Sequence, residues 1–255
     1  MKKFEGKVAV ITGAGSGMGR ATALMFATEG CRVVAADINA GTLETLRSAI
    51  QESGGIVTTI MTDMSVPADI DKMMDLAVRQ YGGVDILVNN AGIMDDFSPA
   101  GEVDDRMLQK VIDINLIGPV RAMKKAIQLM LPKGNGCIIN IASIGGIAGA
   151  RAGIAYTSSK FGLIGATKNT AFFYARKGIR CNAIAPGGIE THIGEGEFMK
   201  KMNSAAFETL QPGMALNPAM GKPEDIAGAV GYLASPQARF VNGAVLTVDG
   251  GWTAY

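Results

Sequence analysis

Histidine and tryptophan are nearly absent from this 255-residue chain, with one of each, and cysteine is scarce, with three. A single histidine, His192, excludes a metal cluster built on imidazoles. Cys31, Cys137 and Cys181 are odd in number, far apart and each beside or within an apolar strand-like run, so buried reduced thiols are expected and not a disulfide frame. Neither sign of charge is in excess: 24 basic and 23 acidic side chains leave a net charge of +1 without a basic face, and nucleic-acid binding has no support. No apolar run reaches the roughly 18 residues of a membrane span. No charged-then-apolar leader opens the N-terminus either, so a cytoplasmic protein is the expectation. Repeats, low-complexity tracts and linkers are missing too. With 48% apolar residues the chain can bury a sizeable core, and a single domain over 1–255 is expected.

What the chain does have is alternation. Strand-like runs near 7–12, 32–37, 56–61, 84–89, 136–142, 179–185 and 244–248 interleave with helical patterns near 17–29, 40–52, 67–80, 103–131, 153–177 and 223–234. Strict alternation implies a parallel sheet with helices on both faces. The exception is 187–222, a long connection rich in Gly, Pro and Met, of the kind that forms substrate lids.

The first strand-like run enters Gly13-Ala-Gly-Ser-Gly17-Met-Gly19 and then a helix. Glycines let the backbone turn sharply and approach a pyrophosphate, and the helix N-terminus offers free N–H groups and the positive end of its dipole. The spacing is not G-x-G-x-x-G, since Met18 stands where that template needs glycine; it is Thr-Gly-x-x-x-Gly-x-Gly from Thr12. The next strand ends at Asp37, close to the spacing at which a carboxylate meets the adenosine ribose hydroxyls of a dinucleotide. A carboxylate there repels a 2′-phosphate, so NAD is expected over NADP. Asp37 capping the helix that starts near Asn39 is the competing reading.

Tyr156 and Lys160 lie four residues apart on a helical pattern, which puts a phenol and an ammonium on one face. A nearby cation lowers a phenol's pKa, so Lys160 is expected to draw Tyr156 down from about 10 and make it a proton-transfer group for an alcohol or carbonyl. Taken alone, such pairs are more often solvated surface.

Taken together, Thr12-Gly13-x-x-x-Gly17-x-Gly19, Asp63, Asn89-Asn90-Ala91-Gly92, Asn115, Ser143, Tyr156-x-x-x-Lys160 and Pro186-Gly187 followed by Thr191 resemble the short-chain dehydrogenase/reductase family over essentially the whole chain. The resemblance implies an α/β fold, a Rossmann-type doubly wound parallel sheet of seven strands in the order 3-2-1-4-5-6-7. It implies NAD contacts from Gly13, Ser16, Gly17, Met18 and Gly19, from Asp37 and Ile38, and from Asp63 and Met64. Asn90, Ala91, Gly92, Tyr156, Lys160, Pro186, Gly187, Ile189 and Thr191 complete that set. It further implies catalysis by Asn115, Ser143, Tyr156 and Lys160. Asn115 has a second reading, a mid-helix amide bonded to nearby backbone. Substrate contacts are expected from Ser143, Tyr156, Met94, Gly188 and Met199. The methionine-rich lid favours an apolar secondary alcohol or ketone, although methionines also serve merely to cover a sheet.

A 3-oxoacyl thioester reductase is an alternative. A non-catalytic dinucleotide sensor is another, and it predicts the loss of Ser143, Tyr156 or Lys160, all of which are present. The apolar helices at 103–131 and 153–177, with the tail Val245–Tyr255, lead to the expectation of a homotetramer, as in many relatives.

Overall fold

The computed structural model describes residues 2–254. Seven strands form one sheet: β1 Val8–Thr12, β2 Arg32–Asp37, β3 Ile56–Met61, β4 Ile86–Asn89, β5 Gly136–Ile141, β6 Ile179–Pro186 and β7 Val245–Val248. All pairings are parallel, in the order β3-β2-β1-β4-β5-β6-β7. The chain therefore reverses its direction of travel across the sheet between β1 and β4, and it does so at the strands' carboxyl ends. In open α/β sheets a crevice forms there.

The described residues form eight α-helices, α1 Gly17–Thr28, α2 Ala40–Glu52, α3 Pro67–Tyr81, α4 Asp105–Ile112, α5 Gly118–Met130, α6 Ile154–Tyr174, α7 Ser204–Met214 and α8 Pro223–Ala234; α4 packs on α6, α7 lies in the 187–222 connection, and the other six cover the two faces. Successive strand residues point to opposite faces, so each strand feeds two cores. Ala9, Ile11, Val33, Ala35, Val88 and Ile139 pack with Phe26, Leu46, Ile50, Ile226 and Val230 on one face. Val8, Val10, Val34, Leu87 and Ile138 pack with Ile70, Met73, Met74, Met123 and Met130 on the other. Burial of strands on both sides explains why they read as nearly unbroken apolar runs. The three cysteines are buried and free.

Two stretches differ from the sequence expectation. The helix expected over 103–131 is broken by a π-helical segment, Asp113–Ile117, between α4 and α5. Apolar periodicity runs through the break, because widening one turn shifts the register without removing the buried stripe. The connection 187–222 is not irregular throughout: it contains α7, capped by the Asn203 side chain accepting the Ala206 N–H at 3.1 Å. Pro212 inside α7 and the flanking glycines hide its pattern in the sequence. Of the tail expected to serve assembly, Tyr255 lies outside the described residues.

Candidate active site

The crevice at the carboxyl ends of β1 and β4 opens into a groove of about 280 Å³. Its lining includes Gly13, Ser16, Gly17, Met18, Asp37, Ile38, Asp63, Met64, Asn90, Ala91, Gly92 and Thr191. These are twelve of the residues expected at the cofactor. Ile93, expected instead at the substrate, and Thr62, Ile114, His192 and Ile193, not foreseen, complete the lining. Gly19 lies beneath the loop, where an added Cβ would collide with the Gly13 carbonyl and sit 2.5 Å from Asn90 Nδ2. Pro186 and Gly187 end β6 against β7, where the Gly187 N–H meets the Val248 carbonyl at 3.0 Å. Ile189 pairs with Gly221 at the base of the lid.

Thr12 ties the two strands at the switch point. Its Oγ1 accepts the N–H groups of Asn90 and Ala91 at 3.0 and 3.1 Å, while Asn90 Nδ2 donates to the carbonyls of Thr12 and Gly13, each at 3.0 Å. Gly13 has φ +64°, and a Cβ there would lie 2.8 Å from Ala91 Cα. Ser16 caps α1 without a side-chain bond to the helix, so its hydroxyl is not committed to the first turn. Asp37 Oδ2 accepts the Gly15 N–H at 2.8 Å and Oδ1 the Asn39 N–H at 3.0 Å. The cap of α2 is Asn39, which accepts from Gly41 and Thr42, and not Asp37. Each Asp37 oxygen holds one backbone donor and keeps acceptor capacity toward the groove.

Behind Gly92 and Ile93 of the groove wall, the turn after β5 brings Ser143 and the first two turns of α6 bring Tyr156 and Lys160, none of which lines the groove itself. Ser143 Oγ accepts the Gly145 N–H at 2.9 Å. Both Ser143 and Tyr156 flank Gly145, where a Cβ would stand 3.4 Å from Ser143 Oγ and 3.5 Å from the Tyr156 ring. Lys160 is 3% exposed, donates to the Ile141 carbonyl at 2.9 Å and lies 5.4 Å from the Tyr156 ring centroid. Asn115, in the π-helical segment, holds Ile93 by both backbone groups: it accepts the N–H and donates to the carbonyl, each at 2.9 Å. Gly92 is where Asn115 and Lys160 converge, 3.2 and 3.4 Å from a Cβ built there.

The expected substrate residues divide. Met94 and Ile93 pack with Met107, Val111, Phe198 and Tyr156 in one apolar cluster. Met199 is half-buried in the turn after Phe198. Gly188 packs against Asn217 and Met220 at the lid's base.

A family model described as enoyl-(acyl carrier protein) reductase matches residues 13–253. A 3beta-hydroxysteroid dehydrogenase of Eggerthella lenta is 42% identical over 98% of this chain and 96% of its own. The crystal structure of levodione reductase superposes with a TM-score of 0.90 at 35% identity, covering 99% of this chain and 100% of that one. A proposed 2-deoxy-D-gluconate 3-dehydrogenase from Agrobacterium tumefaciens, with NADP bound, gives 0.84 at 35% identity and full coverage of both chains. The chain belongs to the short-chain dehydrogenase/reductase family. It is an oxidoreductase of the alcohol dehydrogenase/ketoreductase class that uses a nicotinamide dinucleotide.

The groove of this short-chain dehydrogenase fits that group. Asn90 Oδ1 is buried without a partner, the glycine turn is a cradle that side chains would fill, and the uncapped start of α1 faces the same space. One electrostatic expectation is corrected. Burial pushes the Tyr156 phenol up to about 12, with a hydrogen bond to Ser143 pulling it back and the charge of Asp95 adding to the rise. Burial outweighs the Lys160 ammonium, which lies 5.4 Å from the ring centroid and donates to the Ile141 carbonyl. Burial in turn draws Lys160 down to about 8.

Sequence reading missed Asp95, which accepts the Tyr156 N–H at 2.8 Å, and Ser159, which accepts from Asn115 at 3.2 Å and donates to the Tyr156 carbonyl at 2.7 Å. Ser159 could have been found as a small polar residue on the buried stripe of α6. An acidic pair after a glycine gives no such signal.

Because Lys160 titrates near 8 when folded and at 10.5 when unfolded, the unfolded chain binds more protons between those values and stability rises with pH. The buried thiols of Cys31, Cys137 and Cys181, all pushed up from 9.0 by burial, act oppositely from about pH 8 upward and by a comparable amount. Lys160→Met keeps those thiols, so the urea stability of wild type minus that of Lys160→Met should rise by about 1 kcal/mol from pH 8 to 9. A difference that does not change with pH would refute the buried, depressed ammonium.

Proposed function

We propose that this protein is an NAD(H)-dependent dehydrogenase interconverting a compact or fused-ring apolar secondary alcohol and its ketone, with Tyr156 as acid/base. The reading is carried by one observation: Tyr156 meets Ser143 beside Ile93, a wall residue of the dinucleotide groove, and is walled by Met94, Met107, Val111 and Phe198. Such a chamber favours an apolar body bearing one oxygen. The hydroxysteroid name of the relative from Eggerthella lenta supports that class.

The bound dinucleotide supplies the hydride donor or acceptor. Residues of this chain do the rest. Ser143 donates its hydroxyl proton to the substrate oxygen and fixes that oxygen beside Tyr156. Tyr156, protonated at neutral pH by its burial, gives its Oη proton to the ketone oxygen and recovers it in the reverse direction. Lys160 and Asn115 meet at Gly92, on the groove floor, and serve the proton's exit to solvent. Met94, Phe198 and the lid over 187–222, with Gly188 and Met199, exclude water and seat the apolar body.

Preference for NAD rests on Asp37, whose oxygens retain acceptor capacity at the groove edge. Among the described residues lining that groove none is lysine or arginine. A 2′-phosphate there would meet a carboxylate and find neither a lysine nor an arginine. The outer faces of α5 and α6 expose Val120, Phe161, Phe172 and Phe173, and Phe240 is 99% exposed beside β7. These faces support a homotetramer, working in a reducing cytoplasm that suits three free thiols.

Turnover of NADH and NADPH should be measured against hydroxysteroid ketones, cyclic ketones, sugars and an acetoacetyl thioester. NADH oxidation with a ring ketone is expected, and preference for the thioester would transfer the assignment to the acyl reductase alternative. Tyr156→Phe should lose at least about a thousandfold in kcat with NADH affinity retained; surviving turnover would sink the acid/base role. Asp37→Ala should bring NADPH to within about tenfold of NADH, and an unaltered preference would leave Asp37 a loop brace. Light scattering should report four times 26.5 kDa, against which a monomer would count decisively.

A further inference from the structure

The segment leaving β4 carries a buried carboxylate that the reaction described above does not use. Asp95 is fully buried. Its Oδ1 accepts the N–H groups of Gly153 and Phe97 at 3.0 and 3.2 Å, and its Oδ2 accepts that of Tyr156 at 2.8 Å. α6 begins after Gly153 with no side-chain cap of its own. A carboxylate 58 residues upstream supplies the cap, at the positive end of the helix that presents Tyr156. Gly153 makes this approach possible, since a Cβ there would lie 2.6 Å from Asp95 Oδ2.

The same carboxylate braces a strained turn. Phe97 has φ +69°, the one left-handed non-glycine among the described residues. That conformation turns its ring toward the lid, 5.0 Å from Phe207 of α7. Beside it the Asn203 N–H, at the start of α7, donates to the Asp96 carbonyl at 2.8 Å, and the Ile154 N–H donates to the Ser98 carbonyl at 3.0 Å. Four consecutive residues, 95–98, thus hold the first turn of α6 and the first turn of the lid helix together.

We propose that Asp95 is the positioning residue of this active site, fixing the height and rotation of the first turn of α6 and, through Phe97, registering the lid helix against it. The proposal rests on Tyr156 being the acid/base. A carboxylate is required because two acceptor oxygens serve three N–H donors; an asparagine offers one oxygen and points an NH₂ group at an N–H.

The charge has its own effect. Charged groups facing Tyr156 are Lys160 on its own helix and Asp95, which in turn feels Asp96, with Ser143 from the turn after β5 as a neutral hydrogen-bond partner. α4 presents Met107 and Val111, and the lid presents Phe198. Lys110 of α4 is turned outward to Glu197 at 2.9 Å. Neutralising Asp95 removes the one anion opposing the phenolate, so oxidation, which needs that phenolate, extends to lower pH.

The test is Asp95→Asn in the full chain beside Tyr156→Phe, with NADH affinity, kcat, KM and the pH profile of alcohol oxidation measured for each. Expected for Asp95→Asn are NADH affinity within about twofold of wild type, kcat lower by about 10- to 100-fold, and an acid limb displaced to lower pH. An unchanged kcat, or a loss with an unmoved acid limb, overturns the proposal. Should the variant fail to bind NADH, Gly153→Ala carries the test, since its methyl displaces Asp95 Oδ2; the same fall in kcat is expected, and a normal kcat overturns the proposal. A dead Tyr156→Phe beside an unaltered Asp95→Asn faults Asp95 alone, whereas an active Tyr156→Phe faults the acid/base reading.

Discussion

The buried ammonium of Lys160 is the constraint around which the inner site is built. Removing a lysine charge from water costs several kcal/mol unless the protein offers replacement acceptors. Here one carbonyl, that of Ile141 at the end of β5, takes the charge at 2.9 Å. That contact fixes how α6 lies on the sheet. Gly146, after Ser143, must stay a glycine, because a Cβ there would lie 2.9 Å from the Lys160 backbone carbonyl. Gly92 must stay small because Nζ and the Asn115 amide close on it from two sides. Asn115 reaches that point because the π-helical segment widens one turn between α4 and α5. An ammonium held this way costs stability, and strongly shifted groups of this kind tend to cluster at functional sites.

The sheet supplies the frame that makes such crowding affordable. All strands are parallel, so all carboxyl ends arrive on one side, and Thr12, Asp37, Asn89 and Ile141 terminate there in a row. Below that row two apolar cores grip both faces of the sheet. Above it the backbone is irregular, and its polar groups are tied by side chains: Thr12 to Asn90 and Ala91, Asp37 to Gly15 and Asn39, Asp95 to Gly153 and Tyr156. Each tie satisfies an N–H that would otherwise be stranded where the strands stop.

Legibility in the sequence follows the range of the interactions concerned. The strands of the sheet, and α1 and α2, were readable because β-branched runs, glycines and caps act locally. The glycine turn was readable because a backbone that must turn left and approach a ligand needs glycine whatever surrounds it. The break at Asp113–Ile117 was not, since Ile112, Ile114, Leu116 and Ile117 keep an apolar pattern through it and the shift shows in the backbone, where the Gly118 N–H reaches the Asp113 carbonyl five residues back. Asp95 was invisible for a different reason. An Asp-Asp pair after a glycine reads as a solvated loop, and its partner N–H groups lie near Gly153 and Tyr156, a distance along the chain that no local pattern spans.

The direction of the Tyr156 shift was likewise beyond local reading, and it alters how the pair should be understood. Helical spacing gives proximity, and proximity to a cation lowers a phenol's pKa; but the same burial that brings the groups together disfavours both charges. Tyr156 rises to about 12 and Lys160 falls to about 8, so each is moved toward its neutral form. In the proposed reaction the pair in this state is a proton donor held ready and not a preformed base. Ketone reduction is the direction such a tyrosine serves without further adjustment at neutral pH. Alcohol oxidation requires an added positive charge or a higher pH to bring the phenolate within reach, and Asp95, an anion 2.8 Å from the Tyr156 amide nitrogen, steepens that requirement. Position and electrostatics therefore pull in opposite senses at one residue: the carboxylate that places the tyrosine also keeps its proton on.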